Sequence, residues 1–137
     1  MPPPPSRPTP TPLPAGVSLG APHAKTQSVS LVRVLADPSS VDRKAITVGG
    51  YLDFDGDDNY SLCLHQDDAD HGVRTNCVAL VVANTRAMRD LALHYVTVAG
   101  VVRLRQSVGF SFTDFAIEDV RRVDPSARRS MDVVELH

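Results

Sequence analysis

Polar and apolar residues alternate through "NYSLCLH", 59–65. Tyr60, Leu62 and Leu64 fall on one face and Ser61, Cys63 and His65 on the other. That is the period-two pattern of a half-buried strand. "KAITVGGYLDF", 44–54, begins the same way, with Ile46 and Val48 against Ala45 and Thr47. Gly49 and Gly50 then interrupt it, which predicts a strand with a bulge or sharp bend. "NCVALVVA", 76–83, is more continuously apolar and reads as a central strand. "HYVTVAGVVRLR", 94–105, and "GFSFTDFAIEDVRRV", 109–123, make a fourth and a fifth, the fifth bulged near Thr113 and Asp114. Two segments follow a helical period instead. In "SVSLVRVLAD", 28–37, Leu31, Val34 and Leu35 share a face, Ser28 or Ser30 can cap, and Pro38 ends the run. In "NTRAMRDLAL", 84–93, Asn84 is the cap and Ala87, Met88 and Leu91 form the inner face.

"ITVGGYL", 46–52, and "VTVAGVV", 96–102, match as apolar-Thr-Val-small-Gly-apolar-apolar. Gly50 and Gly100 are therefore expected to be structural, together with Gly49. A closed barrel needs long strands that bend at such a point to serve two sheets. The order strand–strand–strand–helix–strand–strand, with bent first and fourth strands, predicts a mainly β fold. The expected form is a five-stranded OB-like barrel with an N-terminal short helix and a helix between strands three and four. The first and fourth strands should be neighbours, and the leading helix should cover an open end or an edge.

Most of the eleven prolines lie in the first 27 residues, within "PPPPSRPTPTPLPAGVSLGAP", 2–22. Proline fixes φ and removes a backbone donor, so 1–27 is expected to be a disordered Pro-rich spacer, with an SH3-like docking motif the lesser reading. The barrel domain is expected over 28–124 and a flexible tail over 125–137. About 100 folding residues suffice for one modest core. The net charge of −2 argues against a dedicated nucleic-acid binder, which gains affinity by neutralising phosphates. No eighteen-residue apolar run occurs, so no transmembrane segment is expected. The expected location is cytoplasmic for the sequence as it stands, or periplasmic if a signal or lipoprotein leader precedes it.

The runs "VSLVRVLADPSSVDRKAITVGGYLDF", "LCLHQDDADHGVRTNCVAL", "YVTVAGVV" and "IEDVRRV" resemble a group of small bacterial OB-fold-like proteins. Their pattern is a helix ending in Leu-Ala-x-Pro, a V-x-G-Y-L strand, an acidic loop running into His-Gly, a downstream Asn and a closing V-x-G strand. The resemblance covers about residues 29–123. It implies that Asp68, His71, Gly72 and Asn76 sit on the loop motif, and Gly50, Tyr51 and Leu52 on the first strand. Arg43 departs from the pattern, where the group has Gly after Asp. The group brings no activity with it.

The densest chemistry is "DFDGDDNYSLCLHQDDADHG", 53–72, with seven Asp and two His. An EF-hand loop needs oxygen ligands at positions 1, 3 and 5, Gly at 6 and Glu at 12. Counting from Asp53 puts Asp58 at 6 and Leu64 at 12; counting from Asp55 puts Tyr60 at 6 and Gln66 at 12. Both registers fail, and "DGDDN" reads as a hairpin turn. In "HQDDADHG" the choice lies between a weak divalent site and a solvated connection whose Asp residues form turns and whose Gly72 permits a reversal; the second is favoured. Neither a metal nor a cofactor is expected. Cys63 and Cys77 face each other if the loop is symmetric about residue 70, either bonded or as two free thiols. Tyr51, Tyr60, Phe110 and Phe112, with Arg103, Arg105, Arg121 and Arg122, are the candidates for a base-stacking, basic groove, or else fill the barrel and solvate strand ends.

No catalytic motif stands out. The expected function is a non-enzymatic binding module that engages a protein partner through Asp68, Asp70, His71, Gly72 and Asn76. An inhibitor or immunity-type protein of bacterial competition fits that description. Single-stranded nucleic-acid or oligosaccharide binding is the alternative, and a metal-dependent enzyme the third.

Overall fold

The computed structural model describes residues 14–54, 59–106 and 113–126. The chain is mainly β, arranged as one seven-stranded sheet with short helical segments between strands. Its strands are β1 (Val17–Ser18), β2 (Gln27–Ser28), β3 (Ala45–Phe54), β4 (Tyr60–Cys63), β5 (Cys77–Leu80), β6 (Tyr95–Gln106) and β7 (Thr113–Pro125). The helices are α1 (Leu31–Ala36) and α2 (Gln66–Asp70), with 3₁₀ turns at Pro38–Val41, Arg74–Asn76 and Arg86–Leu91.

Five strands close on themselves. β3 pairs antiparallel with β4, β4 with β5, β5 parallel with β7, β7 antiparallel with β6, and β6 antiparallel with β3. The two strands that share a sequence motif are thus hydrogen-bonded neighbours, in register from Ala45↔Val101 to Tyr51↔Tyr95. Alternation places Ile46, Val48 and Leu52 of β3 and Val96, Val98 and Val102 of β6 inside the ring. Leu62, Val78, Leu80, Ile117 and Val123 complete that interior, and α1 and its 3₁₀ turn add Leu31, Val34 and Val41.

The motif glycines have different weight. Gly50 lies opposite Val96 and is buried. A Cβ there would stand 2.7 Å from the Cys63 carbonyl oxygen, 2.9 Å from Leu62 Cγ and 3.0 Å from Leu31 Cδ2. Only glycine allows β4 and the start of α1 to close on β3 at once. A Cβ on exposed Gly49 would meet only the Val96 carbonyl oxygen, at 3.6 Å. At Gly100 the clash would be with Ile117 Cγ2 at 2.7 Å and the Glu118 carbonyl oxygen at 3.0 Å. The β6–β7 register shifts at this point, from Ala99↔Arg122 to Val101↔Glu118. Residues 119–121 oppose Gly100, and Asp119 takes φ +49°. The bulge of the last strand is therefore here. It is not near Thr113 and Asp114, where pairing with Gln106 and Arg105 runs in regular register.

Several other expectations are corrected. The segment at 84–93 is not an α-helix but the 3₁₀ turn Arg86–Leu91. Asn84 Oδ1 does accept from the Ala87 N–H at 3.2 Å, and Met88 and Leu91 are buried. The ends, however, are pinned. The Tyr60 hydroxyl donates to the Thr85 carbonyl at 2.8 Å, and the Leu93 N–H donates to the Leu52 carbonyl at 2.7 Å. A 3₁₀ turn rises about 2.0 Å per residue against about 1.5 Å in an α-helix, so it spans more distance with the same residues. The leading helix starts at Leu31, with Ser30 Oγ accepting from the Arg33 N–H; Ser28 is on a strand.

Residues 14–28 are not a free spacer. β1 pairs with β7 at Val123 and Arg122, and β2 runs parallel to β3 at Ile46 and Thr47. β4 and β5 are short and leave those stretches of β3 and β7 without neighbours, so the arm covers edges that would otherwise stay open. Val17 and Leu19 pack on the core, the Arg121 guanidinium donates to the Ala21 carbonyl at 2.7 Å, and the His23 ring lies 3.1 Å from the Asp119 carbonyl oxygen. The folded unit thus begins before 28. Residues 1–13, the stretch 55–58 where the hairpin turn is expected, and the tail from 127 lie outside the described residues.

Arg43 takes φ +62°. Its N–H donates to the Val102 carbonyl at 2.7 Å, while Asp42 Oδ1 accepts from the Leu104 N–H at 3.0 Å. These two bonds hold a left-handed residue that costs a non-glycine side chain about 1 kcal/mol.

Replacing Gly50 by Ala is expected to destabilise the protein by about 2 kcal/mol, the range for an over-packed site. Gly49→Ala should change stability by less than about 0.5 kcal/mol. Thermal melting of the two variants beside the parent checks this; equal melting temperatures would remove the close approach at Gly50 as a constraint.

Candidate functional site

β3 residues 47, 49, 51 and 53 face out of the ring, because 46, 48 and 52 face in. Pairing sets four of the outward residues in one row across four strands: Tyr95 of β6, Tyr51 of β3, Cys63 of β4 and Cys77 of β5. Cys63 and Cys77 are joined by a disulfide. The Tyr51 and Tyr95 rings meet edge to face, with centroids 5.3 Å apart. Neither Tyr51 nor Cys63 belongs to the interior cluster, yet both are buried.

The connection 64–76 accompanies this row. It is the short helix α2 followed by the 3₁₀ turn Arg74–Asn76; most of it is exposed, and the chain passes Gly72 at φ +66° between the two. One end is fixed where the Gln66 N–H donates to the Tyr95 hydroxyl at 3.0 Å. The other is fixed by the disulfide, and by the Leu64 N–H donating to the Asn76 carbonyl at 3.0 Å. A disulfide closing a loop of this length contributes about 3 kcal/mol in the chain-entropy picture.

Inside the loop Asp68 is the organising residue. Its Oδ2 accepts from the His65 N–H at 3.1 Å, an acidic third-position residue reaching back over a helix start. Its Oδ1 accepts from Asn76 Nδ2 at 2.9 Å. The Asp68 carbonyl accepts from the Val73 N–H at 2.8 Å. The side chain is only 14% exposed. His65 Nδ1 approaches Oδ2 at 3.5 Å. Asp68 and Asn76 are therefore brought together, but to each other. Asp70, His71 and Gly72 are exposed. His71 Nδ1 lies 2.9 Å from the Asp67 carbonyl oxygen, and Gly72 takes φ +66°, where a side chain would be strained. Among the described residues no three His, Cys, Asp or Glu side chains converge as a metal site.

Sequence reasoning passed over the tyrosine pair. Tyr51 is 3% exposed, and its hydroxyl ionises above the ordinary tyrosine range. Burial is the larger cause, followed by the fields of Asp70 and Asp53 and then Tyr95. The signal lay in the register: once Cys63 is opposite Cys77, Tyr51 and Tyr95 extend the same row. Leu93 was also missed. It is 61% exposed and holds φ +65°, two unfavourable conditions for a leucine at once.

The nucleic-acid candidates are placed differently. Tyr60 is buried and packs on Phe54, centroids 4.9 Å apart. Phe110 and Phe112 lie outside the described residues, as does the side chain of Arg105. Arg103 pairs with Glu118 at 3.2 Å, Arg121 with Asp119 at 2.7 Å and Arg122 with Asp124 at 2.8 Å. The Arg121 bond holds the Asp119 carboxyl below its usual range. Comparison with protein-family models and with curated proteins finds no match.

Removing the Asp68 carboxylate, as Asp68→Ala, leaves the His65 N–H and Asn76 Nδ2 without their acceptor. It should cost about 1–3 kcal/mol in denaturant unfolding. A cost near zero would show that the loop is held by the disulfide alone.

The Tyr51 shift gives a pH dependence of definite sign. The folded-state value lies above the unfolded one, so the folded state keeps a proton that the unfolded chain loses. Its stabilising contribution is whole below about pH 10, the ordinary tyrosine value, and declines as pH rises through the folded value. Phenolate absorbance in an alkaline titration should show a late-ionising tyrosine that Tyr51→Phe removes. Retention of the late step in that variant would reassign it.

Proposed function

We propose that the ring is an OB-like barrel of the kind its sequence resembles, and that the protein is a non-enzymatic module engaging a protein partner through the 66–76 loop and one face. The strand order β3-β4-β5-β7-β6, returning to β3 with β5 and β7 parallel, supports the barrel reading. The observation that carries the functional reading is the division of labour within the loop. Asp68, Asn76 and the disulfide fix its shape from within, while Asp70, His71, Gly72 and Val73 face solvent. A loop ordered before contact loses little conformational entropy on binding. An inhibitory partner role, as in an immunity protein, suits such a preformed surface. The disulfide suits an oxidising compartment such as the periplasm.

Nucleic-acid binding has less behind it. Tyr51 and Tyr60 are buried in place, and the guanidinium groups of Arg103, Arg121 and Arg122 are engaged by carboxylates. A stacking platform in a basic groove needs both kinds of residue free.

Chemical cross-linking in the source cell, with His71→Ala and Gly72→Val beside the parent, tests the reading. One specific cross-linked protein should be lost in the variants, with melting of the His71 variant unchanged. In parallel, single-stranded oligonucleotide should not be retarded in a gel at low salt, where non-specific binding is strongest. Retardation that falls steeply with salt, or a cross-link indifferent to the loop, would overturn the proposal.

A further inference from the structure

Resting on that reading, we propose that the outer face around Tyr51, Asp53 and Asp70 receives the guanidinium group of an arginine presented by a basic partner protein.

Three elements bring the groups together. Tyr51 and Asp53 are two apart on β3 and so point to the same outer face. Tyr95 lies beside Tyr51 in the β3–β6 register. The Gln66 N–H bond to the Tyr95 hydroxyl seats the start of α2 at the same place, and Asp70 is the last residue of that five-residue helix. Both carboxylates act on the Tyr51 hydroxyl.

That hydroxyl belongs to a residue only 3% exposed, and it makes no hydrogen bond among the described residues. Among those residues no fully enclosed side-chain polar atom is left without a partner, so the oxygen reaches solvent at its tip. A protonated phenol open at the rim can still accept a hydrogen bond from a donor that reaches it.

The charge selects the donor. Not one Lys or Arg occurs between Lys44 and Arg74, a stretch that holds seven aspartates. The chain thus brings no cation of its own here from β3, β4 or α2. Two carboxylates and a phenol oxygen beside a tyrosine pair suit a planar group with several donors that also tolerates an aromatic face. Guanidinium has these properties; an ammonium offers a compact point charge instead. Leu93 is tied to the same segment of β3 through its N–H bond to Leu52, and it is exposed in a strained conformation. It offers apolar contact for the methylene stem of an arginine.

The test is an NMR titration of the oxidised protein with N-acetyl-arginine amide, and with N-acetyl-citrulline amide as the uncharged isostere. The arginine probe should give saturable shifts at Tyr51, Asp53 and Asp70, with a Kd on the order of millimolar for a single side chain. Citrulline should give none. Asp53→Asn and Asp70→Asn should each weaken binding about fivefold, Tyr51→Phe should weaken it less, and Asp119→Asn, exposed at the β7 bulge, should have no effect. Melting curves identify any variant that fails to fold, and the Asn substitutions change charge with little change in shape. Equal shifts with citrulline, or equal weakening by Asp119→Asn, would overturn the site. Tighter binding of spermidine than of the arginine probe would assign it to free polyamines and overturn the partner's arginine. Should the site fail while the loop-dependent cross-link persists, only this inference falls; loss of the cross-link with arginine binding intact would remove the loop reading instead.

Discussion

The absence of a side chain at Gly50 is the constraint on which the rest of this fold depends. β3 has to accept β6 along one edge and, on the other, β4 at its far end and β2 at its near end. At Gly50 the strand meets the carbonyl of Cys63, the side chain of Leu62 and the first residue of α1 within about 3 Å of where a Cβ would stand. Any larger residue would push back β4, α1 or both. Displacing β4 would shift Cys63 relative to Tyr51, its register partner one residue further along β3. The interior packing and the outer row are thus set by the same contact.

Because that row lies on the outer face, the molecule has two buried regions of different character. The interior is aliphatic, dominated by Val, Leu and Ile on alternating positions. The outer region is small, built from two tyrosines and a disulfide, and bordered by α2. A five-residue helix with no buried residues has little stability of its own. It persists because Asp68 accepts from the His65 N–H at its start and from Asn76 beyond its end, while covalent closure of 63–77 removes much of the entropy of the open loop. The hydrogen bonds and the cross-link act on different terms, one on the folded loop and one on the unfolded chain.

The strands were legible because period-two alternation reports one-sided burial directly, and the shared motif of 46–52 and 96–102 reflects a real pairing with common steric demands. The Cys63–Cys77 opposition was legible too, from loop symmetry, although spacing left the bond open. What was not legible depended on non-local contacts. Proline-rich composition says that a segment has no helix or central strand of its own; it does not say whether two residues at 17–18 and two at 27–28 can cover an edge left open by short neighbours. The 3₁₀ turn at 86–91 has helical periodicity, and its tighter winding comes from anchors at Thr85 and Leu93 supplied by β4 and β3. In the loop, composition suggested metal ligands or turns, and gave no sign that Asp68 would be bound to Asn76 while Asp70 stayed free to face solvent.

That partition bears on what the acidic stretch is for. Nearby carboxylates repel one another, so a run of seven in twenty residues is unfavourable unless something compensates it. Asp68 is compensated by neutral donors inside the loop, which fixes its position without cancelling its charge. Among the described residues, the exposed Asp67 and Asp70 carry their charge on the ordered helix α2. A charge distribution of this kind contributes little to the fold. Under the proposed reading its effect would be on encounter, by steering an oppositely charged surface toward the loop that carries it. The near-neutral total of −2 hides this, because the sum cancels basic residues at positions the acidic stretch does not contain.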